Sequence, residues 1–264
     1  MPHRVRSLMG PAATAACMTL VFVTGVAAQE PPSTPQFMSR FDFHLAAAPL
    51  GSGDPRFSWD THFGGDFDVV DYVYGRVTLA ADYQAVLGSE FRAFDPNQGN
   101  YTLVGASSVR VGATEVFGVF RHVSRHLSDR PKRTAIAWHD VDARVVHRFS
   151  VVGATVEFGA GVGKTINHSF VDYSWTADGE LVVRRPVSSR VAVFGRAFGR
   201  TVGIDPNLSK RPRQDGGRLE GGIHIAGRGP SIELFGGFEQ VIDADPFDRL
   251  RLRWPFAGFR IVSR

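Results

Sequence analysis

The segment FRHVSRHLSDR, residues 120–130, contains residue types that catalyse acyl transfer in many enzymes. His122, Ser124 and His126 occupy alternate positions, so an extended strand would place all three on one face, with neighbours roughly 6.5 to 7 Å apart. A serine activated by a histidine base is the arrangement with which serine hydrolases attack an ester. The segment therefore contains candidate catalytic residues. Its alternative interpretation is a polar rim without catalytic activity.

The H-x-S spacing of His122 and Ser124 resembles that of two families of outer-membrane lipid hydrolases, outer-membrane phospholipase A and the lipid A deacylase. The resemblance implies that His122 is the base, that Ser124 is the nucleophile, and that calcium is a cofactor; without it, we expect no cofactor. In the phospholipase an asparagine–glycine pair follows the serine, whereas none follows Ser124 in this chain. The residue that would orient the histidine stays open among Asp129, Asp140 and Asp142.

The segment VEFGAGVGKTINH, residues 156–168, contains the G-K-T end of a nucleotide-binding loop in Gly163, Lys164 and Thr165. That motif needs a glycine five residues before Gly163, where this chain has Phe158. It also needs a following helix, whose first N–H groups hold the phosphates, and no apolar stripe at helical spacing follows. We therefore predict no nucleotide-binding site.

Alternation with a period of two explains the same segment better. Between residues 152 and 163 the even positions are all apolar and the odd ones are small or polar, and RVTLAADYQAVL, RLEGGIHIA and RLRLRW repeat the pattern. This period is typical of a strand between two unlike environments. We expect Val156 and Phe158 to face lipid, and Glu157 and Gly161 to face an interior where glycines leave room for arginines from neighbouring strands.

The connections between such segments alternate between short turns and longer polar loops. Short turns fall near 112–114, 149–151, 186–189 and 227–230, and longer segments span 88–100, 128–134, 203–217 and 243–248. Transmembrane β-barrels have this arrangement, and they must close because an open edge leaves backbone groups unpaired in lipid. We predict an all-β fold, a closed antiparallel transmembrane β-barrel of about 12 strands, with both ends in the periplasm. The strands are expected near 37–48, 56–64, 72–86, 101–111, 115–127, 137–148, 151–165, 171–184, 189–202, 217–227, 231–242 and 248–263.

A soluble periplasmic β-sandwich is the rival architecture. Sandwich strands also alternate, but many segments here reach ten or more residues, against a mode of about five or six in globular proteins. Their inward faces also carry more charge than the exterior of a sandwich requires.

The first 28 residues are typical of a cleaved secretory signal peptide. Arg4 and Arg6 precede an apolar run, and small residues at 26–28 form a cleavage site. We predict a signal peptide over 1–28, a periplasmic lead over 29–36 and an outer-membrane barrel over 37–264. The one cysteine, Cys17, lies in the signal, so the mature chain has no thiol chemistry.

The charge balance excludes some partners. Removing residues 1–28 lowers the formal net charge from +4 to +2, which gives little support to nucleic-acid binding. We expect neither nucleic acid nor nucleotide as a partner, but outer-membrane lipids, and the barrel-assembly machinery during insertion.

Two further resemblances support this architecture. The final segment WPFAGFRIVSR resembles the last strand of bacterial outer-membrane proteins in Gly258, Phe259 and Ile261, although the usual terminal aromatic is replaced by Ser263-Arg264. The segment SRHLSD resembles a serine-x-histidine-leucine stretch in a family of outer-membrane barrels of unassigned function. Both resemblances imply the architecture alone.

The interior of the predicted barrel is rich in arginine and in both signs of charge. The residues expected to line the lumen are Arg76, Arg110, Arg144, Arg148, Arg184, Arg218, Arg249, Arg251, Arg253, Asp82, Asp142, Glu157, Glu220, Glu233 and Glu239. Mixed signs indicate paired networks that plug or brace the barrel, whereas surplus arginine would favour anions in a narrow passage. The sequence thus favours a structural or passive-transport protein, with an outer-membrane lipid hydrolase as the alternative.

The face of the catalytic candidates stays open at this point. Phe117, Val119 and Val123 lie on the face of the strand opposite to that of His122, and their apolar character suggests that the odd-numbered face contacts lipid. Arg121 and Arg125 share that face, however, and an arginine in mid-bilayer costs about 2 to 4 kcal/mol. If those arginines point inward, His122 and Ser124 face lipid.

Overall fold

The alternating segments form antiparallel strands in the computed structural model, which describes residues 33–127 and 134–263. The strands are β1 (Gln36–Phe37), β2 (Phe41–Pro49), β3 (Trp59–Asp71), β4 (Arg76–Gly88), β5 (Asp95–Val111), β6 (Thr114–Leu127), β7 (Ile136–Val151), β8 (Ala154–Ser169), β9 (Tyr173–Pro186), β10 (Val191–Ile204), β11 (Gln214–Ile225), β12 (Ser231–Asp245) and β13 (Leu250–Val262). The predicted signal peptide, residues 29–32 of the predicted lead, and Asp129 lie outside the described residues. Within the described ranges, no helix has the length and apolar character needed to cross a membrane.

Each strand from β2 to β13 pairs with its neighbours in the sequence, and β13 returns to pair with β2. The twelve long strands therefore form a closed antiparallel barrel, as the sequence predicted. The closing ladder is short and runs from Phe259 opposite Ala47 to Val262 opposite His44. Beyond these pairs, Ser263 N donates to the carbonyl oxygen of Phe43 at 3.0 Å, which extends the ladder by one further bond.

The two ends of the barrel differ in their connections. One end carries the turns at 72–75, 112–113, 152–153, 187–190 and 226–230, together with β1 and the end of β13. The other end carries the connections 50–58, 89–94, 170–172, 205–213 and 246–249, together with the end of β6 at Leu127 and the start of β7 at Ile136. We call these the short-turn end and the long-loop end.

The third and fourth strands differ from their predicted bounds of 56–64 and 72–86. The strand β3 continues through the glycine pair Gly64-Gly65 to Asp71. A Cβ at Gly64 would lie 2.5 Å from the carbonyl oxygen of Ala81, and one at Gly65 would clash with that of Asp42. The two glycines therefore permit close approach of the strands on either side.

The glycines of β8 lie on the inner face of the barrel, and each makes room for a charged side chain. A Cβ at Gly159 would lie 3.0 Å from Arg144 Nη2, which fits the expected space for an arginine. At Gly161 and Gly163 the space is taken by aspartates instead, Asp178 and Asp142. Because these three glycines have no side chains, charged side chains of β7 and β9 can extend over β8.

We predict that Gly163→Ala destabilises the barrel. The new methyl group would overlap Asp142 Oδ1 and lie 2.9 Å from the carbonyl oxygen of Val141. Asp142 cannot move freely because it pairs with buried Arg121. Overpacking of this kind costs roughly 1 to 3 kcal/mol, which would appear as a lower midpoint in urea unfolding of the detergent-solubilised protein. The matched control is Gly118→Ala, whose Cβ would meet no atom within 4 Å; equal midpoints in the two variants would contradict the account.

Candidate functional site

Most of the residues predicted for the lumen lie on the inner face, where they are buried or half-buried and paired with opposite charges. This holds for Arg76, Arg110, Arg144, Arg148, Arg184, Arg218, Asp82, Asp142, Glu157, Glu220, Glu233 and Glu239. The inner face therefore carries many ion pairs.

Three predicted lumen residues lie elsewhere. Arg251 and Arg253 are exposed on the outer face of β13, because the alternate residues are the ones that turn inward. Trp254 is buried and stacks on the ring of Phe57, with centroids 5.4 Å apart. Arg249 belongs to the connection before β13 and pairs with Asp172 at 2.6 Å.

One interior ion-pair network alternates in sign across five strands. We call it the central network and define it by Glu180, Arg184, Arg196, Glu220, Glu233 and Arg260. Arg260 of β13 donates to Glu233 at 2.7 Å and to Glu220 at 3.0 Å. Arg184 of β9 reaches the same Glu233 at 2.7 Å from the other side. The network thus ties β9 to β13 through the middle of the barrel.

Aromatic rings contact Arg260 of this network and Arg218, which pairs with Glu220 of the network. The guanidinium carbon of Arg260 lies 4.6 Å from the ring centroid of Phe235, and that of Arg218 lies 3.8 Å from the ring centroid of Phe256. Both rings are buried on the inner face. Cation–π contact stabilises a desolvated guanidinium while leaving its N–H groups free for carboxylates.

A second network lies toward the short-turn end, and a chain of histidines and aspartates lies between the two. Arg76 donates to Glu115 at 3.0 Å, and Arg110 pairs with Asp71 at 2.7 Å. In the chain, His62 lies 3.0 Å from Asp82 and 3.3 Å from Asp60, and His44 contacts the other oxygen of Asp82 at 2.8 Å. Some inward residues, among them Asp60 and Arg260, were not predicted from the sequence. They also lie at alternate positions of their strands that face inward.

The interior leaves little free space. A cavity of about 110 Å³ lies among Arg40, Arg76, Phe117, Arg121 and Arg144, and smaller ones of about 60 and 20 Å³ lie nearer the long-loop end and beside His62. Side chains such as Glu233, at 1% exposure, have almost no contact with solvent. A water-filled channel would expose its lining, so the described part of the barrel has a packed interior.

At the long-loop end, Arg211 joins three segments. It donates to both oxygens of Asp172, at 2.7 and 2.9 Å, and to both oxygens of Asp243, each at 2.7 Å. Tyr173 OH also donates to Asp243 at 2.7 Å. Burial by itself raises the pKa of Asp172, but the hydrogen bonds and charge of Arg211, with the charge of Arg249, outweigh it and hold that pKa below its usual value. We call this group the Arg211 clamp; nothing in the sequence pattern identified it.

We predict that Arg211→Ala loosens the connection 205–213. The change leaves Asp172 and Asp243 buried without their main cation, and removing one partner of a buried ion pair costs about 3 to 5 kcal/mol. Amide hydrogen exchange of 205–213, measured by mass spectrometry in detergent, should become about tenfold faster or more. Arg213→Ala is the matched control, because Arg213 is an exposed arginine of the same connection. Equal exchange in both variants would argue against the clamp.

The same protection should depend on pH. Because the folded pKa of Asp172 is lowered, its contribution is fully present above the unfolded aspartate value of about 3.9 and is lost as pH falls through the folded value. Protection of 205–213, corrected for intrinsic exchange rates, should therefore be constant from neutral pH down to about 4 and fall below it.

The catalytic candidates lie on the outer face of β6. Arg121 and Arg125 turn inward, where Arg121 pairs with Asp142 and Arg125 donates to the carbonyl oxygen of Asp243 at 2.6 Å. His122, Ser124 and His126 therefore point away from the interior, and the question left open by the sequence is answered.

The serine contacts the second histidine of the segment. Ser124 Oγ lies 3.0 Å from Nε2 of His126, which is exposed. Tyr101, opposite Ser124 on β5, packs its ring edge-on against His126 with centroids 5.3 Å apart. The arrangement can transfer a proton from serine to histidine, the first requirement of a serine nucleophile.

His122 contacts a residue that sequence reasoning did not single out, His139 of β7. The two are directly opposite in the ladder, and their ring centroids lie 4.7 Å apart. The next strand places Asn167 opposite His139. Of the three carboxylates considered as orienting residues, Asp140 and Asp142 are buried on the inner face, so neither supports a histidine on the outer face. Over residues 33–127 and 134–263, no three His, Cys, Asp or Glu side chains are grouped so that they could hold a metal ion.

Comparison with known proteins supports the architecture. Outer membrane phospholipase A from Escherichia coli superposes with a TM-score of 0.52 at 8% sequence identity, over 86% of this chain and 98% of that one. A Salmonella typhi outer membrane phospholipase, solved as a dimer with bound calcium, gives a TM-score of 0.52 at 9% identity, over 84% and 90% of the chains. The fold is that of a bacterial outer-membrane β-barrel. At these identities the similarity concerns the fold alone, and no protein-family model and no curated protein sequence matches the chain.

Proposed function

We propose that the chain is an integral protein of the bacterial outer membrane, with the short-turn end in the periplasm and the long-loop end outside. The outer face supports insertion through its apolar belt, which includes Leu79, Leu103, Phe158 and Leu219, and the orientation follows from the short turns at one end and the longer loops at the other. Outer-membrane lipids are then its permanent neighbours, and the barrel-assembly machinery acts on it during insertion.

We further propose that the barrel is a serine acyl hydrolase whose substrate is an ester of an outer-leaflet lipid. The observation that carries this proposal is the 3.0 Å contact between Ser124 Oγ and His126 Nε2 on the outer face, toward the long-loop end. A substrate that is itself a membrane lipid can reach an outer-face serine without entering the barrel.

In the proposed reaction His126 Nε2 takes the proton of Ser124 as Oγ attacks the ester carbonyl carbon. The proton passes to the departing alcohol, and the acyl group stays on Ser124 until water, deprotonated by the same histidine, releases the fatty acid. His126 replaces His122 as the base in this scheme. Calcium belongs to the proposal only through the phospholipase resemblance.

The packed interior does not favour passive transport. A structural role, in which the ion pairs brace a barrel without catalytic activity, is the second candidate, and the extent of the central network favours it. The two candidates differ in what happens when Ser124 is changed.

We expect the purified protein to release fatty acid from labelled phospholipid or lipid A in mixed micelles. Ser124→Ala should lower the rate by about a thousandfold or more, and His126→Ala by a similar factor, because residues of one catalytic unit are strongly non-additive. His122→Ala should have a smaller effect.

Controls come from the neighbouring strand β7. His147→Ala changes an outward histidine near the short-turn end, and Ser150→Ala changes an exposed serine at that end, on the side of β7 that carries Arg148. Both variants should keep full activity. Heat-modifiable gel mobility checks that every variant is folded. Equal release by the wild type and Ser124→Ala, or no release from any lipid, would leave the structural role.

A further inference from the structure

A polar patch interrupts the apolar outer face of the barrel on β6, β7 and β8. We call it the histidine patch and define it by His122, Ser124, His126, His139 and Asn167. The surrounding outer face carries exposed apolar side chains such as Leu103, Phe120 and Val141. Polar side chains at lipid depth are costly unless they have a partner, and only Ser124 and His126 are hydrogen-bonded to each other.

The other two histidines are arranged as a pair. His122 and His139 are direct cross-strand neighbours, so the backbone of two rigid strands fixes their separation. Their ring centroids lie 4.7 Å apart with the ring planes inclined by 40°. Two imidazoles bound to one metal ion through nitrogens at about 2.0 to 2.1 Å place their ring centres roughly 4.5 to 5 Å apart at coordination angles near 90 to 110°. The observed separation falls in this range.

A second observation concerns the nitrogen atoms. Nδ1 of His122 is shielded from solvent and has no hydrogen-bond partner among the described residues. Buried polar atoms almost always have such a partner, and a histidine usually satisfies both ring nitrogens. Neither His122 nor His139 has a carboxylate beside it, since Asp140 and Asp142 turn inward. His122 is thus short of a polar partner.

We propose that His122 and His139 form a binding site for one divalent transition-metal ion, such as copper, zinc or nickel. Imidazole nitrogens suit these ions, whereas calcium and magnesium take oxygen ligands. Asn167, opposite His139 on the third strand, is placed to add an amide oxygen, and water or a lipid phosphate fills the remaining positions. The site is independent of the proposed hydrolysis, because Ser124 and His126 contribute no ligand to it.

Copper(II) is the probe that reports both affinity and ligands. The full-length mature protein, without a histidine tag, is titrated with Cu²⁺ in detergent and followed by calorimetry and electron paramagnetic resonance. We expect one saturable site per chain, with nitrogen hyperfine structure from two imidazoles. His122→Gln and His139→Gln should each weaken binding by at least about tenfold and reduce the signal to one nitrogen ligand. Added Zn²⁺ should compete for the same site.

Matched histidine variants separate this site from the rest of the barrel. His147→Gln changes an outward histidine of β7 that contacts Thr114 at 2.8 Å, and it should bind Cu²⁺ like the wild type. His126→Gln and Ser124→Ala should also bind normally, whatever their effect on lipid hydrolysis. The proposal is overturned if wild-type protein shows no saturable binding, if His139→Gln binds as tightly as wild type, or if binding is lost in His126→Gln. Unchanged heat-modifiable mobility shows that each variant is folded.

Discussion

Closure of the sheet between β13 and β2 is the constraint on which the rest of this structure depends. The ladder there is short, yet it closes the sheet by pairing residues 259–262 of β13 with residues 44–47 of β2. In lipid an unpaired edge costs several kcal/mol for each group. Closure also turns twelve inner faces toward one another, so that polar side chains on those faces must find partners across the barrel. The alternating signs of Glu180, Arg196, Glu220 and Arg260 follow from that requirement.

A barrel filled in this way has consequences for where activity can reside. Buried charges are stable only while paired, because an uncompensated charge in a low dielectric is strongly unfavourable. The charged side chains of the inner face are therefore held by their partners, and the Arg211 clamp ties the connections at the long-loop end. Side chains on the outer face do not take part in these ion pairs. A serine and three histidines gather there on β6 and β7, and it is at this part of the outer face that we propose the chemistry of the chain.

Much of this architecture could be predicted from alternation, and the exceptions have physical causes. In β8 the sequence Glu157 to Gly163 has one polar or small face, so its register is unambiguous. In β13, Arg251 and Arg253 alternate just as regularly with Leu252 and Trp254. Here the apolar residues face inward and the arginines outward, because the inner face near the long-loop end holds an apolar cluster around Phe57. The face of His122 depended on Arg121 and Arg125, which turn inward to Asp142 of the neighbouring strand β7 and to Asp243 of the distant strand β12. That Ser124 contacts His126 and not His122 depends on side-chain rotamers. The contact between His122 and His139 depends on the register of two strands. A single sequence indicates neither the rotamers nor the register.

The central claim is that the interior is closed by paired charges, and ion conductance tests it most directly. The refolded protein is inserted into a planar lipid bilayer and its current recorded at neutral pH, then again with Arg260→Met, which removes the cation between Glu220 and Glu233. A packed interior predicts no steady single-channel conductance for the wild type, with discrete openings arising only in the variant whose network is broken. A stable, ohmic channel in the wild type would contradict the account.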